Sequence, residues 1–148
     1  MVEAAISTFE DMTLRIADPV ASAEQRAGPV RAAAIVRFDG DASGYLVVRV
    51  RGPVMGAVTA AMLGMADIPD AAIQQDALGE LANVLCGTIV THHAGSTAEF
   101  RLRAPAAGTG VADADNAVQW MHFGVGDGCI EVGIRLVVRL GVRGDEVT

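Results

Sequence analysis

The end of this chain alternates too strictly to be anything but a strand. Ile130, Val132, Ile134, Leu136, Val138, Leu140 and Val142 fall on one side of an extended segment, and Glu131, Arg135, Arg139 and Arg143 fall on the other. Side chains of a strand point alternately to its two faces. The pattern therefore predicts a long strand over 130–142 with one buried face and one wet face. A sheet that faces water on one side favours antiparallel pairing. With 148 residues the chain holds one ordinary core, predicting a single domain over 1–148.

The rest of the sequence supplies partners for that strand. Arg31–Phe38 and Tyr45–Arg51 read as strands joined by a turn at 39–44, a hairpin. Ala98–Ala104 alternates and is closed by Pro105, and 106–116 reads as a loop. Val118–Val125 leads into the turn signal Gly126-Asp127-Gly128. Three helices are predicted. Val2–Leu14 carries an apolar stripe of Ile6, Phe9, Met12 and Leu14, and 17–29 reads as loop. Pro53 suits the first turn of an almost wholly apolar helix, Val54–Leu63, that Gly64 ends. Asp70 is placed to cap a long helix running to about His93, with Gly95 as its stop. The expected class is α+β, an antiparallel sheet with helices packed on one face.

Composition removes several functions. The net charge is −7, every basic residue is Arg, and Lys is absent. No lysine means no Schiff-base catalysis and no phosphate-binding loop lysine. An acidic chain without a basic cluster argues against nucleic acid as partner. No apolar run reaches membrane-spanning length, and Met1-Val2-Glu3-Ala4 opens without a basic leader. The two cysteines, Cys86 and Cys129, are too few for a disulfide framework and read as buried filler. A reduced, cytoplasmic protein is expected.

The informative segment is Asp76–Val90. With a helix turning about 100° per residue, Asp76, Glu80, Asn83 and Gly87 share an arc of about 60°. Leu78, Leu81, Ala82, Leu85 and Ile89 take the opposite side. One face is ordinary core, while the other offers two carboxylates, an amide and a gap. Asn and Gly are poor helix formers, and Gly costs about 0.8–1 kcal/mol against Ala in a helix interior. Gly87 lets another surface come close. Asn83 donates and accepts hydrogen bonds but is no base at neutral pH. By residue type alone, a solvated helix face with an incidental glycine reads the same way.

This segment resembles the signature helix of the CheC/CheX/FliY family of chemotaxis phosphatases. That pattern is Asp or Ser, three residues, Glu, two residues, Asn, and a Pro some twenty-odd residues on. Asp76, Glu80, Asn83 and Pro105 match in order, with Asn83 and Pro105 about one residue closer than in the pattern. The phrase Leu-Gly-Glu-Leu-Ala-Asn with Gly87 after it looks CheX-like, and the element order matches along almost the whole chain.

The resemblance implies hydrolysis of the aspartyl phosphate of a CheY-type receiver domain. Glu80 would dock on the receiver's lysine, Asn83 would position the attacking water, and Asp76 and Gly87 would support docking. It implies no cofactor held by this chain, with Mg²⁺ on the receiver. Two-site members carry a second Glu/Asn pair on the first helix. Here Glu10 is followed by Thr13 instead, so one site is expected. Homodimers through the sheet are a further implication. A non-catalytic receiver-binding or scaffold module of the same fold is the alternative.

Other signals are weaker. Asp39-Gly40-Asp41-Ala42-Ser43-Gly44 resembles half of a calcium loop but lacks the closing Glu, and strands flank it. Adjacent His92 and His93 point to different helix faces and suit a helix C-terminus. His122, beside Trp120, reads as structural.

Overall fold

The computed structural model describes residues 2–13, 17–107 and 118–138. In chain order the elements are α1 (Val2–Thr13), α2 (Ala23–Arg26), β1 (Val30–Gly40), β2 (Ala42–Arg51), α3 (Met55–Leu63), α4 (Ala71–Ala94), β3 (Phe100–Leu102), β4 (Ala106–Ala107), β5 (Gln119–Val125) and β6 (Gly128–Val138). They form one antiparallel sheet in the order β3-β1-β2-β6-β5, with β4 also pairing with β1. The fold is α+β, as the alternation predicts.

The core lies between one sheet face and α1, α3 and α4. Val36, Leu46, Val48, Ile130, Val132 and Phe123 supply the sheet side, and Leu78, Leu81, Leu85 and Ile89 supply the face of α4 opposite the carboxylates. Phe9 of α1 meets Phe123 of β5 edge-on at 5.6 Å between ring centroids. Asp70 caps α4, its Oδ1 accepting from the Ile73 N–H at 3.0 Å, and Gly95 ends it. Both ends agree with the sequence. Among the described residues no helix is long and apolar enough to cross a membrane.

Several expectations are corrected. The loop over 17–29 holds the short α2, made by a capping box in which Ser22 and Gln25 satisfy each other's backbone N–H groups. The stripe of α1 runs through Ala5, Phe9 and Thr13, with Ile6 and Met12 at its margin. Thr13 is buried because its hydroxyl donates to the Phe9 carbonyl at 2.8 Å. Pro53 precedes the N-cap Val54 rather than entering α3. Met55, Val58 and Ala60 make α3 a core helix.

The turn over 39–44 shrinks to Asp41. Asp39 and Gly40 go on to pair with β3, and Ala42 and Ser43 with β6. Asp41 fastens that end: its N–H donates to the Glu99 carbonyl at 2.8 Å, and its Oδ2 accepts from the Glu99 N–H at 2.9 Å. Leu14, residues 108–116 of the predicted loop, and Arg139, Leu140, Val142 and Arg143 of the last strand lie outside the described residues.

The edge beside β1 differs most from the sequence reading. Only Phe100–Leu102 of the expected strand pairs, and Ala106–Ala107, read as loop, pairs again further along β1. Phe38 faces Leu102 and Ile35 faces Ala106, so three steps along β1 match four along its partner. The extra residue is a bulge. It falls at Ala104-Pro105, after the Arg103 N–H donates to the Arg37 carbonyl at 2.8 Å. Pro has no N–H to give a ladder, which is why it sits at an edge bulge.

Candidate functional site

Helix α4 has its core side fixed by buried leucines, so its other strip must face out. Asp76 and Glu80 are exposed there, and Asn83 and Gly87 are half-buried. No described residue engages either carboxylate. The side-chain oxygen of Asn83 is closed off from solvent yet has no hydrogen-bond partner among the described residues. A buried polar atom left unpaired costs about 1–3 kcal/mol. Ile73 and Val84 lie seven residues before and four after Glu80, on the same strip, and are 37% and 36% exposed. The strip thus combines free charge, an unsatisfied amide and exposed apolar surface.

The edge strand borders this strip. A Cβ placed on Gly79 would lie 3.2 Å from Cγ and 3.5 Å from Cβ of Pro105. A Cβ on Gly87 would meet Leu102 Cδ1 at 3.9 Å, an ordinary contact. On α4 the glycine that admits a close approach within the chain is therefore Gly79, which the sequence reading passed over. Its partner is 26 positions away, and no local pattern signals the contact. Pro105 is brought against the helix that carries Asp76, Glu80 and Asn83.

On α1, Glu10 and Thr13 are already committed. Glu10 Oε2 accepts from the Ala17 N–H at 3.0 Å, and Thr13 is turned onto its own helix.

A second polar cluster lies on the sheet face opposite α1, α3 and α4, the face that α2 borders. Glu131 was expected in water, but only 2% of it is exposed. Its Oε1 takes Arg49 Nε at 3.0 Å and Arg51 Nε at 2.9 Å, and its Oε2 takes His122 Nδ1 at 2.8 Å. The Arg49 guanidinium lies 3.9 Å from the centre of the Trp120 ring. A side chain at Gly133 would strike that ring, so glycine makes room for the cover. His122, Cys129 and Glu131 hold donor atoms within 4.8 Å of one another. Both oxygens of the carboxylate are spent, however, and two guanidinium charges already occupy the place of a cation. Burial, then Glu131, pushes the Cys129 thiol up to about 11, which further disfavours a thiolate ligand.

Residues 32–115, more than half of the chain, match the family described as Chemotaxis phosphatase CheX. The chain belongs to the CheX family. Solved structures agree on the fold. CheX of Vibrio vulnificus is 15% identical with a TM-score of 0.72, covering 92% of this chain and 93% of that one. CheX in the CheX–CheY–BeF₃–Mg²⁺ complex of Borrelia burgdorferi is 21% identical with a TM-score of 0.66, covering 91% and 94%. The FliM middle domain of Helicobacter pylori is more distant, at 11% identity and a TM-score of 0.57, covering 97% and 88%. No curated protein matches the sequence.

Proposed function

We propose that this CheX-family protein hydrolyses the aspartyl phosphate of a CheY-type receiver domain, using the outer strip of α4. The observation that carries the reading is the state of that strip. Glu80 is exposed and engaged by no described residue, and one turn on, Asn83 holds an amide oxygen that the described residues leave unpaired. The Borrelia relative crystallised with CheY supports a receiver as the partner.

In this reading Glu80 pairs with the receiver's active-site lysine and sets the docking angle. Asp76, one turn before it, adds negative charge on the same side. Gly87 leaves the strip low where the receiver approaches. The Asn83 amide holds a water in line with the phosphorus. An amide suits that task because it orients water without adding negative charge beside a phosphoryl group. Phosphoryl transfer depends on position and charge more than on a strong base. An acyl phosphate is already labile, so lowering the barrier by about 3–4 kcal/mol, or roughly 10²–10³-fold, is enough. Fixing one water in an attack geometry can supply that. Mg²⁺ belongs to the receiver.

The test is phosphate release from phosphorylated CheY-type receivers with Mg²⁺, with and without this protein. Acceleration that disappears in Asn83→Ala and falls in Glu80→Ala is the expected result. No acceleration of any of several receivers, each shown to be phosphorylated, would replace the reading with a receiver-binding module.

A further inference from the structure

Gly79, Asn83 and Gly87 are spaced by four residues and so form one strip along α4. The edge strand lies along that strip. Pro105 rests on Gly79 at one end and Leu102 faces Gly87 at the other, with Asn83 midway between them. We infer that this edge is a brace: the contact of Pro105 with Gly79 fixes the space in which the Asn83 amide is held, which makes Gly79 and Pro105 positioning residues for the reaction. The inference rests on the phosphatase reading and adds to it.

Three observations support the brace. The Asn83 oxygen is buried without a hydrogen-bond partner among the described residues, on the strip that the edge strand borders. The contact at Gly79 is tight, whereas the one at Gly87 has ordinary spacing. Pro105 cannot swing aside freely. Its bulge is pinned before it by the Arg103–Arg37 backbone bond and after it by the pairing of Ala106 with Ile35. A methyl group on Gly79 would therefore push the edge outward by a few tenths of an ångström and loosen the seat of the amide.

The experiment compares phosphate release by wild type, Gly79→Ala, Pro105→Ala and the double variant, with unfolding curves for each. Gly79→Ala should lower kcat about tenfold while KM stays within about twofold, since small displacements from attack geometry are costly. Pro105→Ala removes the Cγ that the new methyl meets, so the double variant should recover most of the loss. A fully active Gly79→Ala, or a loss in a folded Gly79→Ala that Pro105→Ala does not reverse, would overturn the brace. If Gly79→Ala does not fold, the side-chain amide NMR signals of Asn83 in Pro105→Ala decide. Moved signals support the brace, and unmoved signals overturn it. These signals are read without activity, so a wild type that releases no phosphate counts against the phosphatase reading alone.

Discussion

The outer strip of α4 and the outer face of the sheet are both polar, yet they are built in opposite ways. Around Glu131 every oxygen has a partner, and an aromatic ring lies over one of the guanidinium groups. On α4 the carboxylates of Asp76 and Glu80 stand free of described residues, and the Asn83 oxygen is buried without satisfaction. A cluster whose charges pair with one another has little charge left to offer a partner. A set left unsatisfied costs stability in isolation and gains when a partner completes it. In the proposed function the sheet cluster serves the fold, and the helix strip is the part left for recognition and chemistry.

That division is open to direct attack. The largest effect should come from Glu131→Ala, which strands two guanidinium groups on a covered face. Loss of about 3–5 kcal/mol in urea unfolding is expected, with full activity per folded molecule. Asn83→Ala should do the reverse. Activity should fall about 10²–10³-fold, while stability holds or rises by up to about 1 kcal/mol because an unpaired buried oxygen is gone. A stability loss like that of Glu131→Ala would make Asn83 a structural residue and erase the contrast.

Smaller effects sharpen the same comparison. Glu80→Ala should raise the half-saturating receiver concentration about tenfold, and high salt should shrink the difference from wild type. Ile73→Ser and Val84→Ser should each raise it about threefold at unchanged kcat, as apolar contacts flanking a docking charge.

A separate effect concerns the buried thiols. Burial pushes Cys86 up to about 12 and, with Glu131 as the second cause, Cys129 up to about 11. Raised folded values mean that the neutral thiols contribute stability that is complete below the unfolded value near 8.5. That contribution is lost as pH rises through about 11 to 12. The native protein should resist thiol reagents at pH 8, and its urea midpoint should fall between pH 8 and 10.

What the sequence disclosed follows from which interactions are local. The long strand, the hairpin and α4 with its cap were legible because periodicity and capping act over a few residues. The face of α4 was legible for the same reason, and the resemblance implied the roles proposed for its residues. Glu131 was misread because a lone acid in an alternating strand looks solvated, and its covering residues come from β2 and β5. The four-residue α2 is too short to show a period. Pro105 looked like the end of a strand because a proline cannot continue a ladder. Its bulge and its seat on Gly79 depend on packing between segments far apart in the chain.

The central claim is that Asn83 acts on the phosphoryl group and is not needed for docking. The most direct measurement is the affinity of Asn83→Ala for a CheY-type receiver carrying Mg²⁺ and beryllofluoride in place of the phosphoryl group, set beside its rate of phosphate release. Binding within about twofold of wild type, with release reduced to that of the receiver alone, is the predicted result. Binding lost in parallel with activity, or activity retained, would contradict it.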